Sequence, residues 1–167
     1  MRSGPLASAH GDMARWAEFS PCGRYRYALR RHWGETGAGE VCFILLNPST
    51  ADALVDDPTV RRCIGFARDW GYDGLRIGNL FAFRATDPKR LLAQDDPVGE
   101  GNDAALMALM AGAALRVAAW GVHGAHLGRG DAVRRLLPGL RVLRLTRQGA
   151  PGHPLYLPRT ARPVEWD

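Results

Sequence analysis

The sequence predicts an α/β protein built on a short, mainly parallel sheet of about four strands with helices on both faces. Three observations carry this expectation. Val41 to Leu46 is a run of six apolar residues closed by Asn47-Pro48-Ser49-Thr50, the pattern of a strand buried on both sides. Further apolar runs recur at 75–83, 115–120 and 140–145. Between them lie helix-like stretches, and strands alternating with helices of about a dozen residues indicate βαβ units.

The elements follow in order. A single domain is expected over 1–167, with 1–20 a loosely ordered N-terminal segment, 21–158 the α/β core and 159–167 a tail. Tyr25 to Arg31 sets Tyr25, Tyr27 and Leu29 against Arg24, Arg26 and Arg30, an alternation expected of a half-solvated strand. Gly34 to Gly39 is a turn, and the buried strand 41–46 comes next. Asp57-Pro58 offers a cap and a first-position proline for a helix with Val60, Ile64, Phe66 and Ala67 on its apolar face. Gly71 ends that helix. Leu75 to Phe83 is the second core strand, and Asp103 to Ala114 a helix capped by Asn102. Leu115 to Trp120 is the third strand, His126 to Leu137 a helix halted by Pro138-Gly139, and Leu140 to Leu145 the fourth strand.

Composition bounds the function classes. Hydrophobic residues make up 46% of the 167 and charged residues 23%, as in ordinary globular proteins. No apolar run approaches the length of a membrane span, and the first residues lack a signal-peptide pattern, so a cytoplasmic location and no membrane partner are expected. Cys22, Cys42 and Cys63 are too widely spaced for a disulfide framework or a CxxC metal site, and Cys42 reads as a core residue. From Gly121 onward eight arginines face three acids, which accounts for the whole net charge of +5. That segregation points to a phosphate-bearing partner. Neither GxGxxG nor GxxxxGK[ST] occurs, so a dinucleotide fold or P-loop is not indicated.

Ligands of parallel sheets bind beyond the carboxyl ends of the strands, and those ends carry polar groups here. Asn47, Ser49, Thr50 and Asp52 follow the first core strand, with Asp56 and Asp57 behind. Asn79 stands among apolar neighbours in the second, followed by Phe81, Arg84 and Thr86. Trp120-Gly121 closes the third, and Gly152-His153-Pro154 follows the fourth. Asn79 is either an amide satisfied by nearby backbone or a reader of a planar ligand such as a nucleobase edge. His153 is either a surface histidine or a donor to a developing oxyanion. Asp52, Asp56 and Asp57 are turn formers and caps or, less favoured, oxygen ligands for Mg²⁺. His123 and His126 have HxxH spacing but stand beside glycines and lack a third ligand, so no metal is expected. No GxSxG elbow is present.

The order LNPSTAD, DDPTVRRC, NLFAFRATDP, PVGEGND, AWGVHG and GHPLYLP resembles an uncharacterised bacterial family, domain of unknown function 1643, over roughly Tyr25 to Pro158. A second resemblance is to the uracil-DNA glycosylase superfamily. Asn47-Pro48-Ser49 is similar to its first motif, Asn79, Arg84 and Pro88 to a second, and His153-Pro154 to its His-Pro motif. The resemblance implies a three-layer α/β/α sandwich and hydrolysis of an N-glycosidic bond, as in DNA repair. It also implies roles: Asn47 positions water, Asn79 reads the base, and His153 stabilises charge on the base carbonyl. Pro48, Ser49, Asp52, Asp57, Phe81, Arg84 and Trp120 complete the expected substrate contacts. The chain departs from the motif at Ser49, where the superfamily has Gly, and at Asp56-Asp57-Pro58-Thr59, where it has an aromatic ring. The expected catalytic pair is therefore Asn47 and His153, with no cofactor, acting on nucleic acid or a nucleoside or nucleotide. A non-catalytic nucleotide- or nucleic-acid-binding module using the same crevice is the alternative, and a metal-dependent hydrolase built on Asp52, Asp56, Asp57 and the histidines a less favoured third.

Overall fold

The computed structural model describes residues 2–6, as backbone, and 13–167. The fold is α/β, with one sheet of eight strands in the order β1-β2-β3-β5-β4-β6-β7-β8. These are β1 (Arg2–Leu6), β2 (Ala14–Phe19), β3 (Arg26–His32), β4 (Glu40–Leu45), β5 (Gly74–Asn79), β6 (Leu115–Ala118), β7 (Arg141–Val142) and β8 (Val164–Glu165). The four expected core strands form the parallel block β5-β4-β6-β7. Antiparallel strands flank it on both sides, so the sheet is mixed rather than mainly parallel, and twice as wide as expected.

β4 holds the centre. All six of its residues are buried. Glu40 is held by Arg30, His32 and Arg76, and the strand's period of two divides the other five between two apolar layers. Cys42 and Ile44 join Leu106, Leu109, Val133 and Leu137. Val41, Phe43 and Leu45 join Val60, Cys63, Phe66 and Ala67. The second group comes from helix α1 (Pro58–Asp69), and the first from α3 (Asn102–Met110) and α4 (Arg129–Leu136), after a short α2 (Pro88–Ala93). Helices therefore cover both faces of the block. Cys42 and Cys63 are free core thiols, and burial pushes Cys42 up to about 12.

α1 begins as its sequence predicts. Asp57 accepts a hydrogen bond from the Val60 N–H, Pro58 occupies the first turn, and Gly71 leaves the helix with φ +85°. α3 differs: Gly101 is its cap, and Asn102 is buried inside, donating from Nδ2 to the carbonyls of Asn79 (3.0 Å) and Leu80 (3.1 Å). The side chain thus satisfies backbone at the end of β5 instead of its own helix. Before α4 lies a 3-10 segment, Val122–Gly128, and the helix expected from His126 starts only at Arg129, because His126 (ψ 129°) and Leu127 (φ +57°) are non-helical. β7 is only two residues long, against the six expected over 140–145, and the chain bends at Leu143.

The N-terminal reading changes most. Residues 2–6 and 14–19 were expected to be loose but pair as β1 and β2, while 1 and 7–12 lie outside the described residues. β3 is not half-solvated as expected. Arg26 and Arg31 are both fully buried, because each guanidinium points under the loop that follows β4. Arg31 binds Asp56 Oδ1 through Nε (2.9 Å) and the Asp52 carbonyl through Nη2 (2.7 Å), and Arg26 Nη1 binds the Ala51 carbonyl (3.0 Å). Burial pulls Arg26 down to about 10, against the nearby Asp57 charge, which leaves it a cation at neutral pH. Among the described residues no helix is long and apolar enough to cross a membrane.

Candidate active site

From β4 the chain passes through α1 to β5 on one side, while β6 lies on the other. Such a switch in strand order opens a crevice beyond the carboxyl ends. A cleft of about 730 Å³ occupies that place, within the range of small-molecule sites. Asn47, Ser49, Asp57, Trp120 and His153 line it, all expected from the sequence.

The loops are laced together by backbone. Leu80 and Phe81 donate to the carbonyls of Leu45 and Leu46, and Ala85 donates to Pro48 at 2.9 Å. Ser49 and Thr86 share a hydroxyl hydrogen bond of 3.1 Å. Into this frame Asn47 donates from Nδ2 to the carbonyls of Ala85 (2.7 Å) and Pro48 (3.1 Å). With the amide nitrogen committed, its orientation is fixed and Oδ1 is the atom left to accept from a ligand or water.

His153 lines the same cleft from an equally fixed turn. Gly121 donates to the Pro151 carbonyl and Gly152 to the Arg144 carbonyl, each at 2.7 Å. The His153 ring caps the turn Pro154–Tyr156, its Nδ1 accepting from the Leu155 N–H at 3.3 Å. The remaining proton therefore sits on Nε2. Burial lowers the pKa below its ordinary value, with the Asp57 charge pulling the other way. The result is a neutral imidazole with one donor.

A model of the family described as "Protein of unknown function (DUF1643)" matches residues 26–155. The chain belongs to that family. No curated protein and no solved structure matches it. The DUF1643 match runs from the start of β3 to Leu155, so it contains Arg26, Arg31 and every lining residue of the cleft except Tyr156 and Leu157.

The remaining expected residues of this DUF1643 member are placed elsewhere. Pro48, Asp52, Asn79, Phe81 and Arg84 do not line the cleft. Asn79 is 1% exposed, and neither atom of its amide finds a hydrogen-bond partner. It lies on the same strand face as Ile77, under the α1 layer, because side chains two apart share a face. The three-way convergence of Asn47, Asn79 and His153 therefore reduces to Asn47 and His153. Phe81 is in the opposite core layer, and Arg84 donates to the Gly23 carbonyl and stacks on Phe19. The aspartates are committed to the chain itself. Asp52 Oδ1 accepts from Leu54 and Val55, Asp56 pairs with Arg15 and Arg31, and Asp57 accepts from Val60 and Ala51.

The cleft also holds Thr50 and Thr86 from the expected strand-end polar groups, and residues that were not anticipated there: Thr59, His123, Arg144, Thr146 and Tyr156. Tyr156 is 84% exposed, with its ring 5.6 Å from that of His153. Where the uracil-DNA glycosylase motif has an aromatic ring, this chain has Asp56-Asp57-Pro58-Thr59; a ring three residues after His153 lines the cleft.

Trp120 is held from behind by glycines. A Cβ on Gly124 would lie 2.2 Å from Trp120 Cδ1, and one on Gly130 3.0 Å from Nε1. Gly124→Ala should therefore drive the indole toward the cleft or unseat the 3-10 segment, at about 1–3 kcal/mol. A lower denaturation midpoint together with altered Trp fluorescence is the expected reading, and an unchanged midpoint would show that the segment yields freely.

Proposed function

We propose that the cleft hydrolyses an N-glycosidic bond, releasing a base from a nucleoside, nucleotide or nucleic acid. What supports this most is the presence of Asn47 Oδ1, a fixed acceptor, and His153, a neutral donor, in the lining of one cleft. The strand order and the helices on both faces are compatible with the three-layer uracil-DNA glycosylase resemblance, which lends the reaction type.

The chemistry follows from those groups. Asn47 Oδ1 accepts a hydrogen bond from water and aims its oxygen at the anomeric carbon. The carbon–nitrogen bond breaks, and its electron pair passes to the base and spreads onto a base carbonyl, where His153 Nε2–H donates. Water bonds to the carbon, and its released proton ends on the departing base. The Asp57 carboxylate, held by Val60 and Ala51, faces the positive charge that develops on the sugar. Base recognition falls to the cleft's own groups: the Ser49–Thr86 hydroxyl pair, Trp120 and Tyr156.

The test is release of free base from modified oligonucleotides, nucleosides and nucleotides. No release from any of them would leave only the binding-module reading, which the same cleft also accommodates. The pH profile adds a second check. His153 has a lowered pKa, so its share of stability is complete above the ordinary value of 6.5 and is lost as pH falls through the folded value. Activity should stay level from about pH 8 to about 6.5 and fall only below that. An inflection at or above the ordinary histidine pKa would contradict a neutral, cleft-facing His153.

A further inference from the structure

We infer that a second groove, beside the cleft, binds a phosphate group of the substrate. This rests on the reading of the cleft as a nucleobase site. The groove, of about 370 Å³, shares Pro58 and Leu155 with the cleft and runs along α1, lined by Arg61, Arg62 and Arg159. Asp69 is its one acid. From Pro58 to Asp69 the helix rises roughly 16 Å, so the groove leads away from the cleft mouth along the outer face of α1.

Its arginines are sparsely engaged. Arg159 is 78% exposed and meets Asp69 only at 3.7 Å. Arg61 is exposed, with one hydrogen bond, from Nη1 to the Asp56 carbonyl (2.9 Å). Arg62 donates from Nη2 to the Leu157 carbonyl and lies over the Phe66 ring, while its Nε is buried without a partner. Three guanidiniums against one carboxylate leave a net positive channel, and guanidinium forks suit phosphate oxygens. Of the acids of the preceding loop, Asp56 is turned inward to Arg15 and Arg31, while Asp57 caps the helix and faces the cleft, not the groove. A base seated in the cleft would thus have its phosphate directed across Leu155 and Pro58 into the groove. A free nucleotide and a polynucleotide strand share this chemistry.

The experiment measures binding of the full chain to a nucleoside, its 5′-monophosphate and a short single-stranded oligonucleotide, over a range of salt. Arg61→Gln with Arg159→Gln is the test variant, and Arg134→Gln with Arg135→Gln on α4 carries the same charge loss elsewhere. The monophosphate should bind more tightly than the nucleoside, and the test variant should erase that difference. If a strand is the source, the slope of log affinity against log salt should be shallower by about 1.4 in the test variant, from two contacts of about 0.7 each. The α4 variant should match the parent. Equal effects of both variants, no preference for the phosphate-bearing ligands, or no binding of any ligand would overturn the groove. Loss of phosphate preference with base release intact would instead support it, whereas absence of base release with the preference intact counts against the proposed reaction alone.

Discussion

Asn47→Ala should lower base release by about 10²–10³-fold while leaving a folded protein. The magnitude is that of removing one group aimed at the reacting atoms. The same substitution deletes two hydrogen bonds, to the carbonyls of Ala85 and Pro48, and should cost about 1 kcal/mol in stability. Pro48 and Ala85 are themselves buried, but the Pro48 carbonyl keeps the Ala85 N–H as a donor, which limits the loss. Rate and denaturation midpoint are to be measured together. A rate within about threefold of the parent would remove Asn47 from the reaction, since one well-placed catalytic group contributes more than that. A collapsed midpoint with a proportionate fall in active protein would make it a structural residue only.

The largest effect on stability is expected at Arg31. Its guanidinium is 0% exposed and joins Asp56 Oδ1, the Arg30 carbonyl and the Asp52 carbonyl. Arg31→Met leaves two carbonyls without their donor and Asp56 with Arg15 alone, itself at 3.2 Å. Breaking a buried pair from one side costs about 3–5 kcal/mol, a large part of the stability of a domain of this size. Urea denaturation should show the midpoint falling with little change in slope. A shift equivalent to less than about 1 kcal/mol would mean that the loop stands without its arginine.

The contrast between these two residues explains what the sequence disclosed. Asn47 was legible because a strand buried on both faces has a plain signature, and the polar turn after it must lie at a sheet edge. The same logic located Ser49, Asp57, Trp120 and His153, each beside a strand end or helix start. Arg31 was not legible. Alternating arginines look the same whether they meet water or carbonyls of a loop twenty residues onward, and only the three-dimensional position of 51–56 decides it. Asn79 failed for a related reason. Sequence places it near the end of β5 but does not say which face it takes, and the face decides whether it meets the cleft or the core. Tyr156 and Arg144 lie on short irregular turns after β7, where no periodicity exists to read.

The lacing of the cleft loops has a dynamic consequence. Donors at Leu80, Phe81, Ala85, Gly121 and Gly152 are all tied to carbonyls of neighbouring strand-end loops, so none of these turns can swing out without breaking bonds to another. Opening then becomes a sub-global event instead of local fraying, and these amide protons should exchange on the slow timescale of β4 and β5. The cleft belongs to the same cooperative unit as the sheet that carries it. A ligand entering it meets groups already in place, so little ordering entropy stands between encounter and the bound state.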